Sequence, residues 1–396
     1  MLLLCLFLLH LTSAACGSQP LLLAAPTKVP CPGRDCLAPD VSFDPQTGIL
    51  HCVYGTSTKE AHYQQSSDSG ATWSPPLTLS GASGVTTTMG ERGPKLSVPS
   101  GAGGQLVYVL WPDLWQPGVQ TYARLVVSRN GGQNFSAPLQ ASDRPGIDGA
   151  TLAADSSGGV LVAYHWLNAS YPRPPNATEA TWLFARSSRD FGATWTPASL
   201  VATSATSVAC SMCQMRARAT GVGAFELAFR SAANDVREHY LLQASLDVTS
   251  TWQAQRVPFP GWHLQACPMN GPELQLSTGG AFSSIYAFMS SDTGLVFWSG
   301  RGAATGELSP PVGTPSGAGS SERYPTAVHS PQLRQVLMVW NVGPMAVAGT
   351  AEVLWALYGE DGSPAGAGSL GTSFAGTKAT AWVNGAGDFF VMTTAV

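Results

Sequence analysis

Three cysteines and a histidine in two short segments are the residues of this chain whose spacing most directly suggests chemistry. Cys210 and Cys213 stand in ACSMCQMR, and Cys267 follows His263 by four residues in GWHLQACPMNGPEL. Thiolates with an imidazole suit zinc or copper(I), whereas an oxidising compartment would join Cys267 to Cys210 or Cys213. We expect a disulfide and no cofactor. A metal ion and a reactive thiol are the alternatives.

The other cysteines predict a small structural loop. Cys31 and Cys36 are close enough in sequence to form a disulfide ahead of the first predicted strand. Of the 8 cysteines, all but Cys5 follow residue 15. An odd number in the rest of the chain leaves at least one thiol outside intramolecular disulfides.

A mixture of acids and bases precedes several short strands of alternating hydrophobicity. Asp35 and Asp148 are candidates for a general acid, and Arg92, Arg323 and Asn270 for binding an anionic ligand. Pairing of these charges with one another is the structural alternative. The polar residues at such positions are Arg34, Asp35, Glu91, Arg92, Asp148, Asn270, Glu322, Arg323 and Lys378.

A repeated motif indicates the elements that position these residues. The pattern S-x-D/N-x-G/T-x-x-W/F occurs at 66–73, 128–135, 188–195 and 245–252. We call these segments boxes 1 to 4. Their acidic or amide residues, Asp68, Asn130, Asp190 and Asp247, are 62, 60 and 57 residues apart, a period that suits four short strands and their turns.

Each box predicts a hairpin turn in which the Asp or Asn accepts hydrogen bonds from backbone N–H groups two or three residues on. Gly70, Gly132 and Gly192 can adopt a positive φ there, whereas Thr249 should distort box 4. The closing aromatic residues should cover the adjoining strands. The box carboxylates are therefore predicted to form turns and not to catalyse. The aromatic residues are Trp73, Phe135, Trp195 and Trp252.

Short strands entered through Pro or Gly recur between the boxes, each followed by a strand rich in β-branched and aromatic residues. The seven entry strands begin near Ala38, Gly93, Asp148, Cys213, Gly271, Tyr324 and Thr377. This pattern predicts an all-β protein, a β-propeller of four-stranded antiparallel blades, six or seven in number. We expect residues 16–396 to form one domain, with the N-terminal strand around PLLLAAPTKV completing the last sheet and closing the ring.

The composition restricts the partners. Only 11% of residues are charged and the net charge is -4, against about 25% charged residues in a typical soluble domain, so neither nucleic acid nor an anionic membrane is an expected partner. Residues 1–15 resemble a cleaved secretory signal, with lipidation at Cys16 as the alternative, and no later segment is apolar enough to span a bilayer. Secretion and glycosylation are therefore expected. The sequons are at Asn134, Asn168 and Asn176.

Boxes at this period in a secreted propeller resemble the sialidase superfamily over essentially the whole chain after residue 15. The segment ATGVGAFELAFRS, followed by REHYLLQASLDVTSTW, is similar to the sialidase stretch in which a strand ends in an arginine that binds the substrate carboxylate. The resemblance implies this role for Arg230, and it implies a nucleophile role for Tyr324 in ERYPTAV. The two cysteine segments resemble a subset of uncharacterised secreted sialidase-like proteins.

Other positions depart from the sialidase pattern. The first unit has APDVSF where sialidases carry an F-R-I-P type arginine motif, and SSDTGLVFWS lacks the arginine of a third clamp position. The segment Cys210-Ser211-Met212-Cys213 stands in place of a glutamate. A retaining glycosidase needs both a nucleophile and a general acid, so these departures weigh against ordinary sialidase activity.

The expected function is therefore related to carbohydrate, with a glycan or glycoconjugate as ligand. One hypothesis is a divergent exo-glycosidase that acts on acidic sugars. The alternative is a non-catalytic glycan- or protein-binding propeller, in which Trp111 and Trp115 could stack on a sugar ring or equally cover a core between blades. A redox or metal role of the cysteines is a third possibility.

Overall fold

The computed structural model describes residues 3–395 except 11–21, 24–26, 32–35, 81–92, 114–120, 167–173, 175–177, 179, 202–207, 211–213, 247–251, 269, 316–321, 344–350 and 371–378. The described chain is almost entirely β-structure. One short 3-10 helix, Ala233–Asp235, interrupts it. Within these residues no helix is long and apolar enough to cross a membrane.

The strands follow one another in chain order as the four-stranded units that the repeat predicts. They are β1 (Leu3–His10), β2 (Leu22–Leu23), β3 (Thr27–Val29), β4 (Cys36–Asp44), β5 (Ile49–Thr56), β6 (Ala61–Ser66), β7 (Leu77–Thr78), β8 (Lys95–Ser97), β9 (Val107–Pro112), β10 (Ala123–Ser128), β11 (Leu139–Gln140), β12 (Ile147–Ala154), β13 (Val160–Trp166), β14 (Ala180–Ser188), β15 (Ser199–Leu200), β16 (Val208–Cys210), β17 (Arg216–Gly221), β18 (Ala224–Arg230), β19 (Val236–Arg237), β20 (His239–Ser245), β21 (Gln253–Arg256), β22 (Trp262–His263), β23 (Glu273–Leu276), β24 (Phe282–Ser290), β25 (Leu295–Gly302), β26 (Val312–Gly313), β27 (Glu322–Ser330), β28 (Gln335–Val342), β29 (Glu352–Gly359), β30 (Pro364–Ser369), β31 (Ala379–Val383) and β32 (Phe389–Ala395).

Six antiparallel sheets contain four successive strands each, so the predicted β-propeller blades are present. From inner to outer strand, blade 1 is β4–β7, blade 2 is β8–β11, blade 3 is β12–β15, blade 4 is β17, β18, β20 and β21, blade 5 is β23–β26 and blade 6 is β27–β30. The strand β16 adds to blade 3 beside β14. The strands β19 and β22 form a separate two-stranded ribbon next to blade 4.

The inner strands of successive blades contact one another around the ring. The C-terminal hairpin β31–β32 lies between blade 6 and blade 1, because β31 contacts both β27 and β4. Beside it, β1 pairs with β32, and β3 pairs with β1. Since β1 falls within the expected signal, closure of the ring by the N-terminal strand of the processed chain stays a prediction.

The hydrophobic cores lie between neighbouring blades. The middle strand of blade 3, VLVAYHW, is buried at every position, as a strand covered on both faces must be. Trp111 is fully buried among Val107 and Val109, in the cluster between blades 1 and 2. The prediction that it could stack on a sugar is therefore wrong, because it covers a core between blades. Trp115 lies outside the described residues.

The boxes form the predicted turns with one change in the hydrogen bonding. In box 1, Asp68 Oδ1 accepts a hydrogen bond from the Thr72 backbone N–H at 2.8 Å, and Asp68 Oδ2 accepts one from Thr72 Oγ1 at 2.6 Å. The donor residue thus lies four positions after the aspartate, whereas the sequence predicted a donor two or three positions on. Gly70 takes the expected positive φ of 91°. Box 3 repeats these contacts between Asp190 and Thr194, whereas Asp247 of box 4 lies outside the described residues.

Candidate functional site

The inner strands approach one another closely at the centre of the ring because small residues precede their prolines. A side chain at Gly93 would place its Cβ 2.3 Å from Cβ of Ala38, and one at Gly271 would meet the Gln214 carbonyl oxygen at 2.2 Å. The residue after each proline lies on an inner strand and is charged. Lys95 and Glu273 begin β8 and β23, and Asp40 lies within β4. Charged side chains therefore converge on the axis of the propeller.

Arg216 of blade 4 joins two of these charges across the centre. Its Nη1 and Nη2 donate to the two carboxylate oxygens of Asp40 at 2.6 and 2.8 Å. Its Nε and Nη2 donate to the Glu273 carboxylate at 2.5 and 3.1 Å. One guanidinium group thus joins blades 1, 4 and 5. Such forked, charge-assisted pairs are among the stronger hydrogen bonds in proteins.

These groups are closed off from solvent. The side chains of Arg216, Asp40 and Glu273 are 1%, 2% and 3% exposed. Burial alone would raise the pKa of Asp40, but the Arg216 guanidinium and its hydrogen bonds hold that pKa well below its ordinary value. Asp40 also accepts a hydrogen bond from the Leu96 backbone N–H at 2.8 Å. Both carboxylates are therefore occupied as hydrogen-bond acceptors of an arginine.

The remaining polar groups on the axis extend the same network. Gln214 Nε2 donates to Glu273 Oε2 at 2.5 Å, and Arg218 Nη2 donates to Gln275 Oε1 at 3.0 Å. Burial, followed by the charge of Arg216, lowers the pKa of Arg218 to about 10. Among the described residues, the centre of the ring thus holds paired charges and amides.

A second network lies at the end of the propeller where the inner strands begin, which we call the mouth. It contains two predicted ligand-binding residues and the predicted nucleophile. Arg230, at the end of β18, is 1% exposed and donates from Nη1 to the Asn270 carbonyl oxygen at 2.5 Å. Asn270 Oδ1 in turn accepts a hydrogen bond from the Tyr324 backbone N–H at 3.0 Å. Arg230, Asn270 and Tyr324 are therefore connected, although Arg230 is buried.

Tyr324 has a left-handed backbone whose origin is structural. Its φ is 51°, and the pairing register of β27 shifts between Arg323 and Thr326. Ala38 precedes a proline at the equivalent bulge of blade 1 and has a φ of 50°. Since an alanine adopts the same conformation, the strain at Tyr324 belongs to the entry of an inner strand and does not by itself indicate catalysis.

Cys210 and Cys267 extend the mouth network. Cys210 Sγ lies 3.7 Å from Arg230 Nη2 and 3.6 Å from Cys267 Sγ. The two sulfurs are close but are not bonded to each other. The expected disulfide of Cys267 is thus not formed with Cys210, and Cys213 lies outside the described residues. The disulfide between Cys31 and Cys36 is formed as predicted.

The described residues offer no cluster for a metal ion. No group of three or more His, Cys, Asp or Glu side chains is placed to bind one in this part of the chain. His263, the fourth candidate ligand, lies exposed on β22, paired with Val236 of the ribbon. The described donor set is two thiols, which does not complete the coordination shell of zinc.

Aromatic and imidazole groups enclose Arg230. Its guanidinium lies 5.8 Å from the centroid of the Trp262 ring. His239 contacts the same indole ring and shares a 2.9 Å hydrogen bond with the Tyr286 hydroxyl. Burial, with the charge of Arg230, lowers the pKa of His239 to about 3. The imidazole is therefore neutral at ordinary pH, and it adds no second positive charge beside Arg230.

The other predicted mouth residues divide into three groups. Asp148 and Arg323 are half-buried at the starts of β12 and β27. Glu322 is fully buried and accepts hydrogen bonds from the Val296 backbone N–H at 2.9 Å and Thr314 Oγ1 at 2.5 Å, so its expected position in the mouth is wrong. The residues outside the described part of the chain are Arg34, Asp35, Glu91, Arg92 and Lys378.

One of the three sequons can be placed. Asn134 is exposed in box 2, beside a surface cavity of about 300 Å³ that is also lined by Phe135 and Phe191. Asn168 and Asn176 lie outside the described residues. Glycosylation at all three stays a prediction.

The charges on the axis were not predicted from the sequence. Asp40, Lys95 and Glu273 each follow a proline in APD, GPK and GPE, at or near the start of an entry strand. A charge repeated directly after the proline was the available signal. Arg216 carried no such signal, because its strand is entered without a proline.

The fold is similar to those of several solved structures, at low sequence identity. A Penicillium chrysogenum α-L-arabinanase complexed with arabinobiose is 15% identical, with a TM-score of 0.46, over 78% of this chain and 88% of the arabinanase. A Hadza microbial sialidase is 14% identical, with a TM-score of 0.48, over 77% of this chain and 63% of that protein. A leech intramolecular trans-sialidase complexed with 2,7-anhydro-Neu5Ac is 10% identical, with a TM-score of 0.43, over 82% of this chain and 75% of the enzyme. No protein-family model and no curated protein matches the sequence.

Proposed function

We propose that this protein is a secreted carbohydrate-binding propeller that recognises an acidic sugar at its mouth and does not hydrolyse it. The observation that carries the proposal is the pairing of the Arg216 guanidinium group with the carboxylates of both Asp40 and Glu273. A retaining glycosidase needs one carboxyl group free to donate a proton and a second group free to attack or to stabilise the sugar. The two axial acids meet neither requirement while they are paired with Arg216.

The mouth nevertheless has a cation suited to an anionic ligand. Arg323 is half-buried at the start of β27, directly before Tyr324, and forms no ion pair with any described residue. Its Nε is buried, and no described residue accepts a hydrogen bond from it. A ligand carboxylate would supply that acceptor and could be bound through two guanidinium N–H groups. Arg323 is therefore the residue that we expect to contact the sugar acid.

Secretion is supported by the apolar residues 1–15 and by the Cys31–Cys36 disulfide, a bond typical of oxidising compartments. Detection of the processed chain outside the cell, starting near residue 16, would test it.

The binding experiment compares three sugars with the purified full chain. N-acetylneuraminic acid, glucuronic acid and neutral arabinose are titrated by calorimetry into the wild type, Arg323→Ala and Arg334→Ala. Arg334 is a matched control because its side chain is 79% exposed and contacts Glu360 away from the mouth. We expect the acidic sugars to bind the wild type and Arg334→Ala alike, and Arg323→Ala to bind at least about tenfold more weakly. Equal affinity for arabinose, or no effect of Arg323→Ala, would contradict the proposal.

A divergent exo-glycosidase is the second candidate. It is supported by two half-exposed groups at the same end of the ring, Tyr324 as a nucleophile and Asp148 as a general acid. Turnover of an acidic glycoside that is lost on Tyr324→Phe would favour this candidate over simple binding.

A further inference from the structure

We propose that Ser277, His329 and Glu360 form a second site, a hydrolytic triad that cleaves small carboxylic esters at the end of the propeller opposite the mouth. Ser277 directly follows β23, the inner strand of blade 5, and His329 lies near the end of β27, the inner strand of blade 6. Glu360 follows β29 of the same blade. The three side chains therefore meet between two neighbouring blades, where the inner strands end, and the site uses none of the residues proposed to bind the sugar.

The three side chains are connected by hydrogen bonds in the order that a triad requires. Ser277 Oγ lies 2.7 Å from His329 Nδ1, and His329 Nε2 lies 3.0 Å from Glu360 Oε1. A nucleophile, a base within hydrogen-bond reach of it and a third group that orients the base are the parts of such a site. Triads are recognised by this geometry and not by the order of their residues in the chain.

Glu360 determines which nitrogen of His329 can act as the base. Arg334 Nε donates to Glu360 Oε2 at 3.0 Å. Burial alone would raise the pKa of Glu360, but the hydrogen bonds from Arg334 and His329 hold that pKa below its ordinary value. The ionised carboxylate favours the His329 proton on Nε2, the nitrogen that faces it. Because burial lowers the pKa of His329, Nδ1 stays unprotonated and faces the Ser277 hydroxyl.

The exposure of the three side chains suits these roles. The His329 side chain is 0% exposed and that of Glu360 is 12% exposed, whereas Ser277 is only half-buried. The Phe282 ring packs edge-on against the imidazole, with 5.3 Å between the ring centroids. The base and the residue that orients it are thus shielded from water, while a small molecule can reach the nucleophile.

Two glycines after Ser277 bring the backbone close to the triad. Gly280 has a φ of 79°, and a Cβ at this position would lie 2.9 Å from His329 Cε1 and 3.1 Å from Glu360 Oε1. The Gly279 backbone N–H lies 3.4 Å from Ser277 Oγ, so it can donate to an oxyanion formed on the carbon that Oγ attacks. The Gly279 carbonyl oxygen, 2.7 Å from Oγ, is a second acceptor for the hydroxyl proton. Attack uses the acceptor on His329.

The oxyanion donor suggests the class of substrate. The described contacts identify one such donor, the Gly279 N–H, and each donor of this kind contributes strongly to stabilising the tetrahedral intermediate. An alcohol leaves more readily than an amine, so an ester needs less of this stabilisation than an amide. A small ester is therefore the substrate that the site fits best.

The reaction is balanced with water as the only other reactant. Ser277 Oγ attacks the ester carbonyl carbon while its proton passes to His329 Nδ1. The tetrahedral intermediate breaks its bond to the alcohol oxygen, and the alcohol leaves with that proton. A water molecule then attacks the acyl group on Ser277 and gives a proton to Nδ1. The bond between Oγ and the acyl carbon breaks, the carboxylic acid leaves, and the proton returns to Ser277.

The first test is labelling of the native full chain with a fluorophosphonate, which phosphonylates serines that a base activates and releases fluoride. We expect mass spectrometry to find one adduct, on Ser277, and none on Ser277 after unfolding in urea. His329→Gln removes the base and should slow the labelling at least about a hundredfold. Glu360→Gln keeps the shape of the side chain without the charge that fixes the tautomer of His329, and should slow it at least about tenfold.

Ser283→Ala is the matched control. Ser283 is a half-buried serine of the same blade, and its hydroxyl donates to the Arg301 carbonyl oxygen at 3.3 Å. The variant should label at the rate of the wild type. Urea unfolding curves of all variants separate a change in reactivity from a loss of the fold.

The second test is hydrolysis of p-nitrophenyl acetate. We expect turnover by the wild type and by Ser283→Ala, and its loss in Ser277→Ala. An unlabelled Ser277 in the folded wild type, or equal labelling of a folded His329→Gln, would overturn the triad and leave these contacts a structural role. Labelling without turnover of the ester would overturn the hydrolytic activity. Sugar binding at the mouth is measured separately, so either proposal can fail without the other.

Discussion

The acids of the boxes and the acids on the axis are both used for structure, but by different physical means. Asp68 is exposed and Asp190 is half-buried. Both accept hydrogen bonds from residues up to four positions away, which lower the pKa of each to about 2. Asp40 and Glu273 are buried and share an arginine that lies 176 and 57 residues from them. The first pair stabilises single turns, while the second holds separate blades together, so their removal should have very different consequences.

The largest effect is expected from Arg216→Met. The substitution leaves two carboxylates buried without their partner, and breaking a buried ion pair in this way costs about 3–5 kcal/mol. Urea unfolding of the variant measures the loss. The triple variant Asp40→Leu, Arg216→Met, Glu273→Leu removes all three charges and should be more stable than the single variant. An unfolding free energy of Arg216→Met within about 1 kcal/mol of that of the wild type would contradict the cost of an unpaired buried charge.

The second effect is a loss of stability in mild acid that comes from the core. Burial lowers the pKa of His51 to about 4 and that of His239 to about 3, against about 6.5 in the unfolded chain. As the pH falls below 6.5 the unfolded state binds these protons first, so stability is complete above that pH and declines down to pH 3–4. The decline is at most about 1.4 kcal/mol per pH unit for each histidine.

Unfolding free energies at pH 7 and pH 5 measure this decline. The box acids cannot cause it, because their folded pKa values near 2 and unfolded values near 3.8 both lie below this range. His51→Gln should reduce the slope even though it lowers the overall stability. A flat profile between pH 7 and pH 5 would show that the buried imidazoles are not neutral in the folded state.

A smaller effect is expected from Asp190→Ala in box 3. The Thr194 backbone N–H, Thr194 Oγ1 and Ser188 Oγ lose their acceptor, but Thr194 is exposed and water can replace the carboxylate there. We expect a loss of about 1–2 kcal/mol in unfolding free energy. Asp292→Ala, at an exposed turn position, is the control and should leave stability unchanged. A loss as large as that of Arg216→Met would remove the distinction between the two regions.

The smallest effect is expected in box 2, where both partners of the motif are changed. Asn130 and Asn134 stand where boxes 1 and 3 have Asp and Thr, and the Asn134 backbone N–H still donates to Asn130 Oδ1 at 3.1 Å. The double variant Asn130→Asp, Asn134→Thr should add the missing side-chain hydrogen bond and stabilise the protein by about 0.5–1 kcal/mol. Thermal unfolding of protein from a host that does not glycosylate would detect it. A loss of stability would mean that the amide form suits this turn better.

The same contrast explains how much the sequence could predict. The boxes, their glycines and the entry strands depend on contacts within a few residues, so the propeller and its turns were predictable. The paired hydrogen bonds of Arg216 to Asp40 and Glu273 join residues of three blades, and nothing near Arg216 in sequence identifies its partners. The bulge at Tyr324 was visible only as a proline, and its equivalence to Ala38 required the strand register. Arg230, Asn270 and Tyr324 were each named from the sequence, but their connection and the burial of Arg230 were not.

The central claim is that the mouth binds and does not cleave. The most direct test is hydrolysis of a fluorogenic sialoside and a fluorogenic arabinoside by the purified processed protein, beside the variant Arg230→Ala, Tyr324→Phe. We predict no turnover above the variant, in preparations that still bind an acidic sugar by calorimetry. Turnover by the wild type that disappears in the variant would contradict the claim and would establish Arg230 and Tyr324 as parts of a working active site.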